Sequence, residues 1–173
     1  MSISIPAWFQ WALLEVGVRE TPGKGSTQRV IDYRSISAIP LKGDDSDVPW
    51  CSVFANAAFV ANGIEGIRSA LARSFESNSN FIRLNGPALG AVVTFWRGNP
   101  RGGLGHVGFY RAESKSHIYV LGGNEGDRVD VAPFPAQSPS FGLVGYWWPK
   151  TVSLPPIRAI TFGDQPLAAT SAV

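Results

Sequence analysis

The sequence predicts an α+β protein, and two observations predict it. Apolar residues recur at helical spacing through residues 6–75. After Pro87 the pattern changes to short strand-like runs separated by turn residues. Helices first, then consecutive antiparallel strands, is the order of an α+β domain.

Residues 6–18 read as the first helix. Pro6 suits its first turn, Ser4 is placed to cap it, and Trp8, Trp11, Ala12 and Leu14 or Glu15 fall at helical spacing. Gly17, Pro22, Gly23 and Gly25 end it. Ser26 or Thr27 caps a short second helix carrying Val30, Ile31 and Tyr33. An acidic loop over 42–49 then leads into a third helix. Pro49 disfavours helix at Val48 and suits a helix start, so this helix begins close to Cys51. Val53, Phe54, Ala57, Ala58, Val60 and Ala61 carry it to about Ala61, and Asn62-Gly63 stops it. Residues 67–75 read as a further helix with Ile67, Ala70, Leu71 and Phe75 on one side.

About five strands follow: Gly90–Trp96, Gly105–Arg111, His117–Leu121, Asp130–Phe134 and Leu143–Trp147. Residues 98–103 are a loop and Glu113–Ser116 a hairpin turn. Residues 1–149 therefore form one domain. Residues 150–173, loosened by Pro155-Pro156, form a C-terminal tail, partly disordered or docked through Ile157, Ile160 and Phe162.

At 173 residues, 45% apolar and 16% charged, the chain is long and apolar enough for a real core. Its net charge of +2 is scattered, which argues against nucleic acid as partner. One cysteine makes no intrachain disulfide, so folding does not depend on an oxidising compartment. With two histidines and no CxxC or HExxH, no metal or other cofactor is expected. The first residues lack the basic start and apolar core of a signal peptide, and no apolar run reaches the length of a membrane span. The expectation is a protein made in the cytoplasm and, if its target lies outside, exported or delivered by another system.

Cys51 at a helix start feels the positive helix end and unpaired N–H groups, which favour the thiolate and can hold an oxyanion. His106 lies on a glycine-flanked strand, Gly105-His106-Val107-Gly108. A helix with a nucleophilic cysteine packed on a sheet with a histidine is the papain-like arrangement, in which imidazole takes the thiol proton and returns it to the leaving amine. A third polar group usually orients the histidine. It belongs at the end of the 117–123 strand, where Asn124 is the first choice and Glu125 and Asp127 the alternatives. Gly-Gly-Asn is also ordinary turn chemistry. His117, beside a hairpin turn, reads as a solvated surface residue. Trp50 and Trp96 are candidates to line the groove, with core packing the better reading for Trp96. Alternation points one ring of Trp147-Trp148 inward and one outward. Asp44, Asp45 and Asp47 read as a solvated loop, with Asp47 a candidate for a substrate amine.

Several segments together resemble the CHAP and NlpC/P60 families of bacterial and phage cysteine peptidases and amidases. They are Trp8 with Ala12, Glu15, Gly17 and Glu20–Gly23; Pro49-Trp50-Cys51 with Phe54; Gly90–Phe95; Gly105–Tyr110; and Val120–Asn124 with Asp127 and Val129. The resemblance covers about residues 6–149. It implies a papain-like fold, with Cys51 as nucleophile, His106 as base and Asn124 as orienting residue. Two departures stand out: many relatives carry Gln where this chain has Glu125, and many CHAP domains carry a carboxylate where it has Gly122.

The activity implied is a metal-independent peptidoglycan hydrolase. It would cleave a stem-peptide bond or the amide between glycan and peptide. An endolysin, a wall-remodelling enzyme and a secreted antibacterial toxin all fit, acting in the periplasm or cell wall. Partners would then be peptidoglycan and either an immunity protein or secretion or holin machinery. The alternatives are a non-catalytic wall- or protein-binding module, or another thiol amide hydrolase or acyltransferase on the same fold.

Overall fold

The computed structural model describes residues 4–161. Within them are three α-helices, α1 (Ala7–Leu14), α2 (Gln28–Ser37) and α3 (Cys51–Ala61), and a 3-10 turn, Ala72–Glu76. Seven strands follow: β1 (Phe81–Leu84), β2 (Val92–Arg97), β3 (Gly105–Glu113), β4 (His117–Gly122), β5 (Asp130–Pro135), β6 (Gln137–Ser138) and β7 (Phe141–Pro149). The α+β class is as expected, but the sheet has two strands more than the five expected. All pairings are antiparallel, in the order β1-β7-β2-β3-β4-β5, with the short β6 on β7.

The helices are less extensive than the sequence pattern suggests. The first stops at Leu14. The amide of Gly17, whose φ is +99°, turns away to Val129 O across the fold. Neither α1 nor α2 has a side-chain cap: Pro6 and Thr27 stand at the cap positions. The helix expected over 67–75 shrinks to Ala72–Glu76. The buried Asn56 side chain of α3 accepts the amide of Ile67 at 2.7 Å, and Arg68 takes φ +52°. A side chain from elsewhere thus takes an amide that would otherwise start that helix.

The helices pack on the sheet through aromatic rings. Phe59 of α3 contacts Trp8, Phe81 and Phe109, and Phe81 also meets Phe75 edge-on. A second aromatic group, Phe95, Phe134 and Phe141, joins β2, β5 and β7. Edge-to-face and offset contacts of this kind contribute about 0.5–1.5 kcal/mol each beyond area burial.

Trp147 and Trp148 have different neighbours but both are buried, and Trp148 packs on Trp8. The Arg83 guanidinium lies over Trp147. The chain after β7 turns back so that Ser153 O accepts the Trp148 indole N–H at 3.0 Å. That segment stays against the domain: Arg158 N donates to Pro87 O, Ile160 N to the Tyr110 hydroxyl, and Glu113 N to Ile160 O. Ile160 is buried, while Ile157 is exposed. Phe162 and the final residues lie outside the described residues. No helix among the described residues is long and apolar enough to cross a membrane.

Candidate active site

The third helix starts at Cys51, with Trp50 as its cap residue. The loop in front of it is not solvated throughout. Asp45 is buried, and its carboxylate accepts the amides of Thr21 (3.2 Å) and Thr27 (2.7 Å), while its own amide donates to Ser26 Oγ. This carboxylate ties the α1–α2 connection to the cysteine loop. Asp47 is exposed on the same loop and has no part in the cleft beside Cys51. Trp50 is fully buried, donates its indole N–H to Glu20 Oε2 at 3.0 Å and stacks on Tyr33. It is a core residue under the helix start and not a groove wall, because only its backbone belongs to the loop. Trp96 is buried too.

His106 stands at the start of β3, opposite Phe95 of β2. Its ring stacks on Phe134 at 4.8 Å. Its Nε2 lies 2.6 Å from Glu125 Oε1, and the Cys51 side chain is near enough to favour the protonated ring. With Nε2 occupied, Nδ1 is the nitrogen left to serve sulfur. Cys51, His106 and Glu125 therefore form one line from helix to sheet to turn.

The side chain that meets His106 is Glu125 and not the favoured Asn124. After β4 the chain makes a tight turn in which Asn124, Gly126 and Asp127 all take positive φ, of +61°, +57° and +67°. Asn124 and Asp127 are thus turn residues. The Asp127 carbonyl accepts the Glu20 amide, and the Glu125 amide donates to Arg128 O. Among the described residues the Asn124 side chain makes no hydrogen bond to His106. The turn instead folds Glu125 inward until its side chain is 2% exposed. Two glycines make room. A methyl group on Gly122 would stand 2.6 Å from Glu125 Oε1, and one on Gly123 would stand 2.6 Å from Phe54 Cβ and 2.7 Å from the Trp50 ring. The space beside residue 122 is thus filled by the Glu125 carboxylate. His117 is partly exposed at its hairpin, held by Ser116 Oγ.

Electrostatics follow from this line. Burial of the His106 ring opposes its charge, but the Glu125 carboxylate and the Cys51 thiolate outweigh burial and raise it to about 10. Burial also pushes the Glu125 carboxyl up, against the pull of His106. The His106–Glu125 pair therefore keeps its shared proton through neutral pH. The Cys51 side chain stands at the start of α3 beside this charged ring.

A cleft of about 210 Å³ opens at Cys51. Leu41, Val48, Pro49, Leu71, Arg97 and Leu104 line it. Ser52 Oγ donates to Ser69 O at 2.7 Å and keeps the 69–72 stretch beside α3. Arg73 pairs with Glu76 at 2.9 Å and donates to the carbonyls of Pro100 and Gly102, which fixes the 98–104 loop. Glu76 also accepts from Thr94. A separate apolar cavity of about 550 Å³ lies between the Ser4–Trp8 and Val152–Ile160 segments, away from these groups. Among the described residues, no three His, Cys, Asp or Glu side chains gather to hold a metal ion.

The sequence pattern did not single out Arg73, Glu76 or Arg97, and it read Asp45 as part of a solvated loop. Arg73 and Glu76 pair within the short Ala72–Glu76 turn, which replaces the helix expected over 67–75, and Glu76 meets Thr94 of β2 only through the fold. Asp45 was legible as part of an acidic loop, yet its burial depends on amides 18 and 24 residues away. In comparison with known proteins, no family model, no curated protein and no solved structure matches this chain.

Proposed function

We propose that this protein is a cysteine-dependent amide hydrolase of the papain-like type, acting on peptidoglycan. The observation that carries the reading is Cys51 at the start of a helix and beside an open cleft, close to a His106 ring that is hydrogen-bonded to the buried Glu125. The peptidoglycan assignment rests on the family resemblance of residues 6–149.

In this reading the Cys51 thiolate attacks the amide carbonyl carbon. Amides at the start of α3, which have no partner within the helix, receive the oxyanion. His106 gives its proton to the leaving nitrogen, the C–N bond breaks, and a thioester on Cys51 remains. Water then attacks the thioester. His106 takes a proton from that water, and the thiolate departs as the carboxylic acid forms. Glu125 holds the ring with Nδ1 toward sulfur throughout and offsets the imidazolium charge. Phe134 covers one face of the ring.

The test is digestion of purified peptidoglycan by the wild type and by Cys51→Ala, with products read by mass spectrometry. Soluble fragments from the wild type alone are expected, and their new termini identify the bond. No release by either folded protein would overturn the reading.

A further inference from the structure

Beside Glu125 and Cys51 the His106 ring has a third neighbour, and it is aromatic. Phe134 of β5 lies against the imidazole with ring centres 4.8 Å apart and planes 26° from parallel. The attack, the proton transfers and the carboxylate on Nε2 use no aromatic ring. Strand pairing alone does not bring Phe134 there. Phe134 stands opposite Ile118 of β4, and Ile118 opposite Glu113, at the other end of β3 from His106. The contact is made because the sheet closes on itself. Immediately after β5, Gln137 and Ser138 pair with Gly142 and Phe141 of β7. Leu143 of β7 stands opposite Phe95 of β2, and Phe95 opposite His106. Phe134 is itself held in place. It stacks on Phe141 at 5.4 Å and lies tilted on Phe95 at 5.4 Å, and Pro133 and Pro135 fix φ on either side of it.

We infer that Phe134 is a positioning residue for His106: its ring sets the plane of the imidazole between Glu125 and Cys51, and its face stabilises the protonated form. The inference rests on the hydrolase reading for its effect on rate, though not for its effect on the titration of the ring. An aromatic face carries negative charge density and attracts a cation lying over it. A flat ring also opposes tilting of a flat neighbour, whereas an aliphatic side chain leaves the tilt open. The titratable groups that act on His106 are Glu125 in the turn after β4 and Cys51 at the start of α3, and Asp130 at the start of β5 acts on Glu125. Glu125 holds one atom of the imidazole, Nε2, and a single hydrogen bond leaves rotation about that bond free. Phe134 supplies the second constraint, and it is fixed by β2 and β7 before any substrate arrives.

The test compares the wild type with Phe134→Leu, Phe134→Tyr and Phe81→Leu. The last removes a ring from the other aromatic group, where Phe81 meets Phe59 and Phe75, and serves as a control for lost packing. Three quantities are read: the His106 midpoint by NMR titration, the melting temperature, and kcat and KM on purified peptidoglycan. Phe134→Leu should lower the His106 midpoint by about half a pH unit. It should lower kcat by about tenfold with KM little changed. Phe134→Tyr should restore most of both. Phe81→Leu should lower the melting temperature and leave the midpoint and kcat at wild-type values. Replacement of Phe134 by its pentafluoro analogue keeps the shape and strips the face of its negative charge density, so the midpoint should fall without a loss of melting temperature. That replacement also decides the matter if Phe134→Leu does not fold. An unmoved His106 midpoint in the folded Phe134 variants would overturn the inference, and so would a lowered midpoint with kcat unchanged in an active protein. A loss of kcat matched by Phe81→Leu would reduce Phe134 to packing and overturn it too. If the wild type cleaves nothing, the hydrolase reading falls, and the midpoint alone sustains or overturns the hold of Phe134 on His106.

Discussion

Nε2 of His106 and Oε1 of Glu125 meet at 2.6 Å although 19 residues separate them in the chain. Strands β3 and β4 bring the two together, and the turn after β4 aims the carboxylate. The imidazole is thus held on its edge by an acid and on its face by Phe134.

That contact predicts a pH dependence. His106 is raised to about 10 from its ordinary value of about 6.5. Folding therefore favours the imidazolium. The stabilisation is complete below about pH 6.5 and is lost as the pH rises through about 10. Glu125→Gln keeps an acceptor but removes the charge. By NMR titration the His106 midpoint should fall by about two pH units or more, and the alkaline limb of kcat/KM should fall with it. An unmoved midpoint would assign the raised value to another group.

The two neighbouring glycines should separate stability from site geometry. Gly123→Ala puts a methyl group against Phe54 and Trp50, both in the core, and should cost about 1–3 kcal/mol in thermal unfolding. Gly122→Ala meets chiefly the Glu125 carboxylate, the end of a side chain. It should lower the His106 midpoint and the rate while shifting the melting temperature less than Gly123→Ala does. Equal melting losses in the two variants would contradict this division.

Asp45→Ala leaves the amides of Thr21 and Thr27 without their buried acceptor. Denaturant unfolding should show a loss of about 2–4 kcal/mol, since an unsatisfied buried donor costs about 1–3 kcal/mol. Hydrogen exchange should quicken at those two amides before it does in β2 or β3. Uniform quickening would argue against a local clamp.

Glu15 gives the opposite pH sign. Burial raises its carboxyl, but hydrogen bonds from Arg29 and Tyr33 outweigh burial and leave it lowered. Its stabilisation is present above the ordinary carboxylate range and is lost as the pH falls through the lowered value. Arg29→Leu should destabilise the protein at pH 7 by about 2–4 kcal/mol, as for a nearly buried charge left unpaired. The gap from wild type should narrow as the pH falls through the lowered Glu15 value, where the wild-type carboxylate takes up its proton. A gap that held constant with pH would assign the loss to packing of Arg29 on Trp11 and Tyr33.

Much of the frame was legible because it is local. Pro49 followed by an apolar helical run places the start of α3 at Cys51, and alternating strand patterns place β2 to β5 and β7 within a few residues. What escaped is non-local or depends on something missing. Strand β1 exists through pairing with β7, more than sixty positions along the chain. The 67–75 helix fails because Asn56 reaches across from α3. Trp148 is buried by a chain segment that follows it. Glu125 replaces Asn124 because periodicity ends with β4 at Gly122, and the room for the carboxylate is the absent side chain of a glycine.

Both walls of the cleft are tied by a charged side chain to the main chain of another segment: Asp45 to the amides of residues 21 and 27, Arg73 to the carbonyls of residues 100 and 102. Every residue type offers a carbonyl, and every one but proline offers an amide. The sequences of the tethered loops are therefore free to drift without loosening the frame. Evolution of such a molecule can rewrite what the cleft recognises, residue by residue along 98–104, while the machinery behind Cys51 keeps its alignment.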